Sequence, residues 1–113
     1  MNASPTYHAF GHLLDEVEIP NDGTLSRVLF NGGGLRVVLF AFDTGQELTD
    51  HTAAVPAVVQ VVSGRLGLTL GDDTIEIGPD AWVRMDAHLT HAVIAIEPSV
   101  MLLTLQTAAD QGV

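Results

Sequence analysis

The sequence predicts an all-β domain, an antiparallel sandwich or barrel preceded by a short helical segment. Three observations carry this. About eight apolar stretches of four to nine residues follow one another, separated by Gly, Pro and Asp. Only one stretch, near the start, has helical spacing. The chain has 113 residues, which suits one domain with a single core.

In order along the chain, Phe10, Leu13, Leu14 and Val17 recur at i, i+3, i+4 and i+7, one face of a helix. Asp15, Glu16 and Glu18 lie at its C-terminal end, where the helix dipole opposes negative charge, so about two turns are expected. Pro20-Asn21-Asp22-Gly23 then forces a turn, setting an N-terminal segment, 1–23, apart from a barrel, 24–113. Strands are expected over 24–30 and 35–43, joined through Asn31-Gly32-Gly33-Gly34. Val58 to Val62 runs through Ser63-Gly64 into Leu66 to Leu70, and Gly71-Asp72-Asp73 is a hairpin signal before Thr74 to Ile77. Ala81 to Met85, His91 to Glu97 and Val100 to Gln106 complete the series.

Two strands are apolar on both alternating faces: Leu35 to Phe42 and Val100 to Leu105. A face open to water would alternate with polar residues. The second face must therefore be covered by the N-terminal segment or by a second subunit, and a homodimer is expected.

Charge narrows the function. Fourteen Asp and Glu stand against four Arg and no Lys, a formal net charge of −10. Phosphate binding needs clustered cations, and Arg27, Arg36, Arg65 and Arg84 are scattered, so nucleic acid is not an expected partner. An anionic membrane would repel the chain, and no apolar run approaches the ~20 residues of a membrane span. The first ten residues hold no basic residue, unlike a signal or transit peptide, and a cytoplasmic protein is the expectation. A salty cytoplasm and a GC-rich genome account equally for the acidic, Lys-free composition. With no cysteine, disulfides, thiolate nucleophiles and Cys-based zinc sites are excluded.

Histidines are the candidates for chemistry. His8 and His12 are four apart, a spacing that can bind metal on a helix, but they have no third ligand nearby and read as solvated residues. His51, His88 and His91 lie at strand boundaries. No serine has a nucleophile-elbow context, and Gly32-Gly33-Gly34 lacks the Lys and helix of a phosphate loop. Trp82 reads as core packing, and Arg84 as the partner of a surface acid.

Here the sequence resembles a known family. Gly45-Gln46-Glu47-Leu48-Thr49-Asp50-His51, closed by Gly64, resembles the first cupin motif; Gly78-Pro79-Asp80-Ala81-Trp82-Val83-Arg84-Met85, ending at His91, resembles the second. The resemblance runs from about Leu35 to Leu105 and is to the short single-domain cupins. It implies a jelly-roll-like barrel of two antiparallel sheets, usually dimeric. In metal-binding members, two His and a Glu from the first motif join one His from the second, a set suited to Fe, Mn, Ni or Zn. This chain has Ala53 at the second His position and Ala57 at the Glu position, so only His51 and His91 remain.

His88 is the first choice to complete a metal set with His51 and His91, and Glu47 the second, since in a regular strand it shares the His51 face. Gln60 has the wrong parity, and Asp86 would act only from an inward-turned loop. The resulting expectation is a cup binding a small molecule, with or without a divalent transition metal and without an organic cofactor. A metal-dependent oxygenase or isomerase is one alternative; a non-catalytic scaffold or partner-binding dimer is another.

Overall fold

The computed structural model describes residues 4–108. Nine strands follow one short turn of helix: β1 (Thr24–Gly32), β2 (Leu35–Phe42), β3 (Glu47–His51), β4 (Ala57–Ser63), β5 (Leu66–Leu70), β6 (Asp73–Ile77), β7 (Trp82–Met85), β8 (His91–Ala95) and β9 (Ser99–Gln106). They form a five-stranded sheet in the order β1-β2-β9-β4-β7 and a four-stranded sheet in the order β3-β8-β5-β6, with every pairing antiparallel. This is the predicted all-β sandwich. Residues 1–3 of the expected N-terminal segment and 109–113 of the expected barrel lie outside the described residues.

The core lies between the sheets and follows from strand parity. Phe42, Val59, Val61 and Met101 of the larger sheet meet Leu66, Leu68, Val93 and Ala95 of the smaller, all buried. Burying such side chains contributes roughly 1.5–3 kcal/mol each, which orients both sheets. Predicted turns fall where expected: Gly33 and Gly34 have φ of 58° and 84° between β1 and β2, and Gly71 has 60° between β5 and β6.

Three expectations need correction. The N-terminal helix is one 3-10 turn, Leu13–Glu16, rather than two α-helical turns. Its N-cap, His12, makes no side-chain capping bond, its acids have no basic residue in the last turn, and the chain is extended again at Val17. Strand β3 was not expected, because Glu47-Leu48-Thr49-Asp50-His51 offers a single apolar residue; it is an edge strand held by β8 alone. Trp82 is not in the core. It pairs with Gln60 across β7 and β4, on the face turned away from the core, and is 60% exposed.

Both doubly apolar strands lie side by side near the middle of the larger sheet. Their inner residues Phe40, Phe42, Met101 and Leu103 belong to the core. Their outer residues Leu39, Ala41, Val100 and Leu102 form a second apolar cluster, covered by Val17 of the N-terminal segment together with Leu29 and Val62. A salt bridge from Arg27 to Glu16 (3.1 Å) ties that segment down.

Candidate functional site

His51 and His91 end β3 and begin β8, and the register makes them direct cross-strand partners. Their rings are 4.1 Å apart, centroid to centroid, tilted by 60°. His91 is buried at 6% exposure, whereas His51 is exposed at the rim. Together they close one end of a cavity of about 50 Å³ whose remaining wall is apolar: Phe40, Leu48, Val59, Met85, Val93, Met101 and Leu103. At ~30 Å³ per water, this space takes an ion, one or two waters, or the tip of a larger molecule.

Both imidazoles are oriented in the same way. The Nδ1 of His51 lies 2.7 Å from the carbonyl of Thr49, and the Nδ1 of His91 lies 2.8 Å from that of Leu89. A carbonyl only accepts, so each Nδ1 carries the proton and donates it; in the neutral ring Nε2 then has a bare lone pair. Each carbonyl stands two residues before its histidine. Such an outer hydrogen bond is what orients imidazoles that act as ligands. No side-chain pattern announces it, because the accepting groups are backbone.

The two further ligand positions that the sequence resemblance implies carry other residues here. Ala57 is buried on the inner face of β4, a methyl where a carboxylate would stand. Ala53 turns its carbonyl to the backbone N–H of His88, at 2.7 Å. That bond holds His88 in a turn with φ of +68°, its side chain exposed and outside the cavity lining.

Glu47 is not on the His51 face. The register shifts between Leu48 and His51, and this bulge gives the inward place to Leu48, leaving Glu47 exposed opposite Ile94. Arg84 meets a surface acid as expected, 2.6 Å from Asp86, which is thereby held outside the cup. Gln60 lies on the outer face opposite Trp82. His8 stands edge-on to Phe30, centroids 4.9 Å apart, on the outer side of the larger sheet, and neither it nor His12 approaches the cup.

Among the described residues, no three His, Asp or Glu converge as a metal-binding group. A catalytic zinc-type site normally draws three ligands from the protein, so a donor set of two imidazoles does not fit a resident catalytic metal. What the pair offers is two oriented acceptors on an apolar wall.

No protein-family model matches the chain, and no curated protein matches it in sequence. Among solved structures, the chain is similar to a conserved protein of unknown function from Streptococcus pyogenes, at 29% identity and a TM-score of 0.82, covering 94% of this chain and 93% of that one. It is similar in fold to a cupin superfamily protein from Desulfitobacterium hafniense, at 20% identity and a TM-score of 0.81 over 92% and 94% of the two chains. KdgF from Halomonas sp. aligns at 21% identity and a TM-score of 0.75, over 88% and 96%.

Proposed function

We propose that this chain, which has the cupin fold, is a binding cup that holds the polar tip of a small molecule against the imidazoles of His51 and His91. The observation that carries the reading is the pair of acceptor nitrogens, each oriented by a backbone carbonyl, at the end of an otherwise apolar cavity. A hydroxyl, amine or amide N–H donates to such a pair, while the apolar wall receives a methyl or methylene beside it. With about 50 Å³ inside, the body of the ligand stays outside the mouth. A divalent metal enters this cup only with a chelating ligand that supplies the missing donors.

The reading is tested on tag-free protein, since a His tag brings its own metal. Parent, His51→Ala and His91→Ala proteins are incubated in turn with Fe, Mn, Ni and Zn, dialysed, and assayed by elemental mass spectrometry. The same proteins are screened by thermal shift against small alcohols, amines and amides. Substoichiometric metal, with a ligand that raises the parent's Tm and neither variant's, is the expected result. Near-stoichiometric metal in the parent, lost in both variants, would overturn it and put an oxygenase or isomerase first. An empty parent that responds to no ligand would favour the scaffold reading.

A further inference from the structure

We propose that Arg36 anchors a carboxylate on the ligand of the cup, which makes that ligand a small carboxylic acid with a hydroxyl or amine at its other end. The anchor rests on the reading of His51 and His91 as acceptors for that other end. Among the described residues, Arg27 is paired with Glu16, Arg65 with Glu76 and Arg84 with Asp86. Arg36 alone among the four arginines forms no ion pair there, in a chain with fourteen acids to offer one.

Strand register gives Arg36 its place. Phe40 and Phe42 of β2 face the core, and Arg36 is in phase with them near the start of the strand. One rung then crosses the larger sheet: Arg36 lies opposite Leu105, Leu105 opposite Ala57, and Ala57 opposite Met85. Met85 lines the cavity, and Ala57 is the buried methyl next to it. At ~4.8 Å per strand, the Cα of Arg36 stands about 10 Å from that of Ala57, within the combined reach of a long side chain and a ligand a few bonds long. The turn after Phe42 sends β3 back along β2, so His51 at the end of β3 comes to the same end of the barrel. Arg36 is exposed and outside the cavity lining, at the mouth where the ligand's body emerges.

Charge sets the orientation. None of the five strands of the larger sheet contains an Asp or Glu, and the cross-strand neighbours of Arg36 are Asn31 and Leu105. The smaller sheet is the reverse, with Glu47, Asp50, Asp73 and Glu76 and no arginine. On the histidine rung, His91 pairs with Leu70 and Leu70 with Asp73, which puts Asp73 two strands, about 10 Å, from His91. A ligand carboxylate is therefore repelled from the histidine wall and drawn to the arginine wall. The planar guanidinium takes a carboxylate through two parallel N–H···O bonds, which a neutral tail does not reproduce.

Isothermal titration with straight-chain ω-hydroxy acids, from glycolate upward in length, tests the proposal. Each acid is run beside its amide and the amino alcohol of the same length. The parent is expected to bind at least one acid about tenfold more tightly than either neutral or cationic counterpart. Arg36→Gln removes that preference and leaves the amide's affinity unchanged, while Arg36→Lys keeps part of it. Arg27→Gln makes the same charge change opposite Leu39, on the outer face, and keeps the preference whole. His51→Ala and His91→Ala weaken acid and amide alike. Arg36 is exposed, and retained cooperative melting confirms that its variants fold. Acid and amide bound equally by the parent, an amino alcohol bound best, or a preference that survives Arg36→Gln would overturn the anchor; if both histidine variants still lose binding, the cup stands without it. A preference that needs Arg36 but neither histidine, or a parent that binds no member of any series, would overturn both.

Discussion

A carboxylate that accepts two backbone N–H bonds is held in its charged form, and Asp43 does this just after β2. Its Oδ2 accepts from the N–H of Asp22 and its Oδ1 from the N–H of Thr44, both at 2.8 Å. These bonds, the Asp22 one first, hold its carboxyl below the ordinary aspartate range. The stabilisation is complete above the unfolded-state value and is withdrawn as pH falls through the depressed folded one. Asp43→Asn is therefore expected to lower stability at pH 7, and the gap between parent and variant to close in strong acid; urea unfolding at both pH values measures it. Other residues were legible to different degrees. His51 and His91 could be picked out because glycine spacing and strand edges mark them. Glu47 was misplaced because its parity depends on a bulge that no residue in β3 signals. Trp82 misled because a large aromatic in a strand reads as core, whereas its parity with Gln60 puts it outside.

The tightest constraint on any single element is the corner between β4 and β5. Gly64 has φ of +86°, and a Cβ there would fall on Ser99 Oγ and the Pro98 carbonyl. Ser99 is fully buried; its hydroxyl accepts from the N–H of Arg65 at 3.0 Å and faces the carbonyl of Glu97 at 2.7 Å. That junction pins the start of β9 to the start of β5, across the two sheets. Gly64→Ala meets left-handed strain and a backbone clash together, so a loss above ~2 kcal/mol is expected. Thermal melting should show a fall of roughly 10 °C in Tm. The eight strands with clear apolar patterns were all legible, within a residue or two at their ends. The N-terminal segment was half legible: of its four spaced apolar residues Val17 packs against the sheet while Leu14 stays 51% exposed, and the contact is made without the expected helix.

At the scale of the whole molecule, two sheets of unlike charge and unlike width enclose one core, and stability is unevenly spread between them. Strands β2, β9 and β4 have a neighbour on both sides, while β3 is held by β8 alone through a bulged register. The cup's two histidines straddle that weakest pairing. Detaching β3 would separate the rings and widen the mouth while leaving Val59, Leu68 and Met101 buried between the remaining strands. Opening the site is thus a local event, costing a fraction of the free energy of global unfolding. Amide hydrogen exchange is expected to be fast in 47–51 and slow in β4 and β9, with bound ligand slowing the first group alone. Uniform protection across β3, β4 and β9 would contradict it. A ligand too large for the closed cup would then be admitted at a rate set by how often one edge strand peels away.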